Sequence, residues 1–169
     1  MKVVGIALAI ALALALQTTL ARFVLRGTVA VDLVLVVVVY VALTSGPVTG
    51  LLTGSVAGLV QDALSSGIIG IGGLAKTVVG FLAGVIGTQF IVAQPLPRFV
   101  VFVAATGLHA LIFMGLYALL DVRHFGAPYA AVGGQALGNA IVGVLAFQLV
   151  ELLPGAVERR RMQRTRLRR

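Results

Sequence analysis

Residues 33–61 read LVLVVVVYVALTSGPVTGLLTGSVAGLVQ, with Asp32 before the run, Asp62 after it and no charge between. A bilayer core about 30 Å thick needs roughly 20 apolar residues per helix. The run is therefore too long for one crossing and too apolar for anything else. Gly46-Pro47 supplies the break, because proline cannot continue a helix and glycine favours a turn. The poly-valine stretch 34–39 has strand propensity in water. In lipid, the need to satisfy every backbone group within the segment overrides that preference. The apolar runs are continuous rather than alternating, so helices are expected and not a barrel.

Working outward, charges and Pro/Gly punctuation cut the chain into six pieces. They are residues 3–21, 28–44, 46–64, 74–93, 99–120 and 128–150. A four-glycine loop is expected over 65–73. Pro95 and Pro97 end the fourth piece, and Pro128 sits where a first-turn proline costs little. The fold class is all-α integral membrane, a six-transmembrane-helix bundle. One domain covers residues 1–150, and 151–169 form a basic tail. The start of the chain, Lys2 followed by residues 3–16, also has the pattern of a cleavable signal peptide. The uncharged run continues to Ala21, which favours a retained helix.

Composition agrees. The chain is 60% hydrophobic and 11% charged, against about 45–50% and about 25% in soluble domains. A soluble enzyme, a disordered tail protein and a basic nucleic-acid-binding domain are poor readings. Zero cysteine removes disulfides and thiolate chemistry. The net charge is +8, but Arg159, Arg160, Arg161, Arg164, Arg166, Arg168 and Arg169 carry seven of it, leaving +1 elsewhere. These arginines mark a cytoplasmic C-terminus and contact anionic headgroups. Six spans then place Lys2 and Arg98 inside and Arg22, Arg26 and Arg123 outside. A five-span rival, with residues 47–73 re-entrant, puts Arg22, Arg26 and Arg98 inside and fits charge counting slightly better. Length favours six.

Four glycines, Gly46, Gly50, Gly54 and Gly58, recur every fourth residue and form one helical stripe. Such a stripe lets another helix approach closely, either within the bundle or from a partner. Asp62 extends it by a turn and Lys76 begins the next span. Ionisable groups in a membrane pair, snorkel or face a wet cavity. The expected arrangement is an Asp62–Lys76 pair across the glycine-rich loop, with Asp32 joining them or pairing with Arg22 or Arg26. A polar pocket is the functional alternative. His109 reads as a hydrogen-bonded bundle residue, and Gln61, Gln135, Asn139 and Gln148 as interhelical hydrogen-bonding groups. No catalytic constellation, P-loop or metal-ligand spacing is present, so neither enzyme nor cofactor is expected.

The order of Val31-Asp32-Leu33, Gly46-Pro47, residues 54–65 (GSVAGLVQDALS), then Gly67, Gly70 and Gly73-Leu74-Ala75-Lys76-Thr77 resembles the rod-shape-determining MreD family. The close likeness covers residues 31–87. It implies a bacterial inner-membrane protein of the cell-elongation machinery without enzymatic activity. It also implies association with MreC and, through it, with RodA, a class B penicillin-binding protein and MreB. The implied fold resembles the six-helix substrate-binding (S) subunits of energy-coupling-factor transporters. On the family pattern Asp32, Asp62 and Lys76 are the matching polar positions. The basic tail lies outside that pattern. The alternative function is a vitamin-type substrate-binding subunit of a transporter.

Overall fold

The structure is a computed structural model that describes residues 2–23, 31–65, 68–90, 92, 94–121 and 129–166. Arg26, Gly67, Arg123, Arg168 and Arg169 lie outside the described residues, as do the side chains of Lys2, Arg22 and the arginines at 159, 160, 161, 164 and 166. Six helices are described: α1 (Lys2–Phe23), α2 (Leu33–Ser45), α3 (Pro47–Leu64), α4 (Ile71–Gln89), α5 (Pro95–Leu119) and α6 (Tyr129–Arg166). Three are long and apolar enough to cross a membrane: Ile71–Gln89, Pro95–Leu119 and Tyr129–Leu152. The α1 and α2 segments Val3–Thr19 and Leu33–Ser45 are shorter apolar helices.

The valine-rich helix α2 is the hub. A helix apolar on every side belongs in an interior. Val34, Leu35, Val36, Val38, Val39, Val41 and Ala42 are all buried, and α2 touches each of the other five helices. Leu35, Val36, Val39 and Ala42 pack with Val79, Ala83, Phe102, Ala105, Ala140 and Phe147. The helix begins later than its apolar run suggests. Asp32 is not one turn inside it; it is the N-cap, its carboxylate accepting from the Leu35 amide at 2.9 Å. Aspartate favours that position because it satisfies a donor the helix cannot.

The 13 residues of α2 span only about 20 Å. Gly46, at φ +88°, ends α2 and caps α3. It is therefore a turn residue and not the first member of a helical glycine stripe. Gly50, Gly54 and Gly58 do share a face, and that face is closed against α4. A Cβ at Gly50 would overlap the Gly80 carbonyl, at Gly54 the Lys76 carbonyl, and at Gly58 the Gly73 backbone. The pairs 50/80, 54/76 and 58/73 run in opposite directions, so α3 lies antiparallel along α4. The stripe is a seam inside the bundle. It is not free to receive a partner's helix, which corrects the partner-face alternative.

Direct contacts also order the remaining helices. Asp32 meets Lys76 and Asn139, while Tyr40 meets Phe147. Helices α2, α4 and α6 therefore run parallel, with their N-termini at one end. Thr106 meets Asn139 and Arg98 meets Glu151, so α5 runs antiparallel to α6. Helix α6 does not stop at residue 150. Its backbone continues through Pro154 to Arg166, about 57 Å in all. The tail is thus mostly a continuation of the last helix.

Candidate functional site

A short helix that starts within an apolar bundle exposes amides that water cannot reach. Here side chains from α1 and α6, together with the cap residue Asp32, answer them. The Asp32 amide donates to Asn139 Oδ1 at 2.8 Å, and the Val34 amide to Gln17 Oε1 at 3.3 Å. Asn139 is fully buried and donates in turn to Thr106 Oγ1 at 3.0 Å, whose hydroxyl donates to the Phe102 carbonyl. An anion at a helix N-terminus is favoured by the helix dipole, and burial demands a counter-charge. Lys76 provides it, with Nζ 2.9 Å from Asp32 Oδ2; both residues are below 5% exposed.

His109 completes this centre, its Nε2 3.2 Å from Lys76 Nζ. A lysine ammonium has no acceptor, so Nε2 must be the lone-pair nitrogen. The ring stacks on Phe113. The expected Asp62–Lys76 pair does not form. Asp62 instead accepts from the amides of Gly70 and Gly73, both at 2.9 Å through Oδ2. It caps the start of α4, which opens at Ile71 and not at Leu74, after Gly70 at φ +106°. Asp62 stands at the last turn of α3, directly under that helix start, so backbone amides reach it before any side chain does.

These residues surround a cavity of about 300 Å³ at the end of the bundle where α2, α4 and α6 begin. Asp32, Asp62, Lys76, His109, Gln61 and Gln135 contribute its polar wall; Ile68, Phe113 and Met114 contribute apolar surface. Gln61 Nε2 makes a long bond to Asp32 Oδ1 at 3.5 Å. Its Oε1 is buried without a partner among the described residues. Gln148, by contrast, is exposed, and among the described residues it joins no interhelical bond. Among the described residues no group of three or more His, Cys, Asp or Glu could hold a metal ion.

A second polar centre lies at the opposite end. Arg98 is buried, donates from Nε to the Val92 carbonyl at 3.1 Å, pairs with Glu151 at 2.5 Å, and stands 4.3 Å over the Phe147 ring. In sequence Arg98 marks only a charge on the inner side. Its partnership with Glu151 depends on the α5–α6 register, which spacing alone does not reveal. Because the Glu151 side chain is more than half exposed, Glu151→Gln should barely move the melting temperature. Arg98→Met, which also loses the carbonyl and ring contacts, should lower it by several degrees; thermal melts followed by circular dichroism would rank the two.

Two sides of the bundle differ in chemistry as well. A wholly apolar groove of about 340 Å³ runs between α1 and α6 over α2, lined by Ala9, Ala13, Val37, Tyr40, Val142 and Ala146 among others. In comparisons with known proteins, the model of the family described as rod shape-determining protein MreD matches residues 1–154. No curated protein and no solved structure matches the chain.

Proposed function

The chain belongs to the rod shape-determining MreD family, and from that premise we propose that it is a non-enzymatic membrane scaffold of the bacterial cell-elongation complex. In this reading it binds MreC and through it supports RodA, a class B penicillin-binding protein and MreB in peptidoglycan synthesis. The protein is a membrane protein with a role in rod shape. The observation that carries the scaffold reading is the family match, joined to a surface that among the described residues is almost entirely helix sides. Large apolar side chains such as Leu8, Leu12, Leu111, Ile141 and Leu145 are exposed along the bundle.

With the glycine seam already closed by α4, the α1–α6 groove is the place for a partner's transmembrane helix. Ala9, Ala13 and Ala146 permit close approach there. Ala9→Phe and Ala146→Phe should reduce co-isolation of MreC by about tenfold, a loss of about 1.4 kcal/mol, with the melting temperature unchanged. Undiminished co-isolation would remove the groove from the account.

In the proposed orientation the protein sits in the inner membrane with six crossings and the C-terminus in the cytoplasm, where the seven tail arginines belong. The polar cavity then opens toward the outside. The antiparallel run of α3 along α4 supports a full crossing by α3 against a re-entrant one. Single cysteines at Ser45 and Ser65, in a chain with no native cysteine, test this with an impermeant maleimide. Ser65→Cys should label in intact cells and Ser45→Cys only after permeabilisation. Labelling of both from outside would reinstate five spans, and the reverse pattern would invert the proposed orientation. The second reading, a vitamin-type subunit built like the transporter S subunits, draws its support from the 300 Å³ cavity.

A further inference from the structure

The polar cavity has an imbalance that the bundle itself does not need. Of the ionised side chains in its wall, Asp32 and Lys76 cancel, leaving the charge of Asp62. His109 contributes no positive charge while Nε2 accepts from Lys76. The amides of Gly70 and Gly73 both use Asp62 Oδ2, and among the described residues Oδ1 makes no hydrogen bond. Gln61 adds a second acceptor that has no partner among the described residues. Its Nε2 points to the Asp32 carboxylate, which fixes the amide orientation and leaves Oε1 as the unpartnered atom.

Open acceptors beside a net negative charge call for a cation with N–H donors. A bare metal ion is poorly served, because the acceptors are one carboxylate oxygen and one amide oxygen and not a ligand cage. The volume is at the small end of ligand sites and suits a head of a few heavy atoms. Phe113, Met114 and Ile68 supply apolar wall for the methylenes such a head would carry, and an aromatic ring favours a cation nearby.

We propose that this cavity binds a primary ammonium group, as the head of an aminophospholipid or as a free small amine, with Asp62 and Gln61 as its acceptors. The site is independent of partner binding through the α1–α6 groove, so MreC co-isolation is expected to be the same whether or not it is filled.

Purified full-length protein is melted with ethanolamine, choline, phosphatidylethanolamine micelles or phosphatidylcholine micelles at matched ionic strength. The ammonium-bearing probes should raise the melting temperature by about 5 °C near saturation, and the trimethylammonium probes should not. A shift with ethanolamine identifies a free amine as sufficient; a shift with phosphatidylethanolamine alone identifies the lipid. Gln61→Leu removes one acceptor, and Met114→Trp fills space from a half-buried position on α5; both should abolish the shift. Native mass spectrometry of the same variants reports bound ligand directly if their melting temperatures differ from the parent. No shift and no bound mass with either ammonium probe, an equal response to the trimethylammonium probes, or binding that survives both substitutions would overturn the proposal.

Discussion

Lys76→Met should be among the most damaging single substitutions in this protein. It leaves the Asp32 carboxylate buried at a helix N-terminus without its counter-charge, and breaking one half of a buried pair typically costs about 3–5 kcal/mol. For a chain of this size that corresponds to a fall of about 10 °C in melting temperature. The loss should be mostly reversed by adding Asp32→Asn. Asparagine still accepts from the Leu35 amide as an N-cap, and it carries no charge to compensate. The chain has no tryptophan, so melts are best followed by far-ultraviolet circular dichroism. If the double variant is no better than Lys76→Met alone, the ion pair is not what the lysine is for. A parallel comparison with Asp62→Asn separates the two carboxylates, since Lys76→Met should not be rescued by it.

The second large effect belongs to the seam between α3 and α4. Gly54→Leu would drive its Cβ into the Lys76 carbonyl and the Thr77 amide. Those are backbone atoms that cannot rotate aside, so the helices must separate along their whole length. Overpacking in a core costs about 1–3 kcal/mol when side chains can adjust. Here they cannot, and loss of folded protein is expected. Gly107→Leu is the control, because a Cβ at Gly107 meets nothing within 4 Å. Size-exclusion profiles and yields of the two variants should diverge sharply. Similar behaviour would mean the seam can open without penalty.

The six helical segments were legible because a bilayer requires long apolar runs and Gly46-Pro47 forces a break in the longest. The close packing promised by Gly50, Gly54 and Gly58 was legible from their spacing, but the helix that fills it was not. Nothing in a four-residue repeat distinguishes α4 from a foreign helix. The starts of α2 and α4 were misplaced for one reason. Both Asp32 and Asp62 look in sequence like charges seeking charges; each serves backbone amides at a helix start, and only Asp32 also pairs with Lys76. Lys76 then had only Asp32 to neutralise. The interhelical role of Asn139 was legible, but its partners and the Arg98–Glu151 pair depend on how α5 lies against α6, where Phe102 packs on Gly143. No local pattern encodes that. The length of α6 was cut short because Glu151 and the arginines end the apolar run, while a helix needs no apolarity once it leaves the lipid.

The glycine seam also bears on how the chain is made. Helix α3 is not among the three apolar enough to cross by composition, and the face it turns to α4 is lined by Gly50, Gly54 and Gly58. Met one segment at a time by the insertion machinery, it would be a weak candidate for release into lipid. Folded back on α4 it hides that face, and the large apolar side chains it shows outward are Val48, Leu52, Val56, Leu59, Val60 and Leu64. The unit that enters the bilayer is then the α3–α4 hairpin, and its short connection past Gly70 keeps the two halves together at the moment of entry.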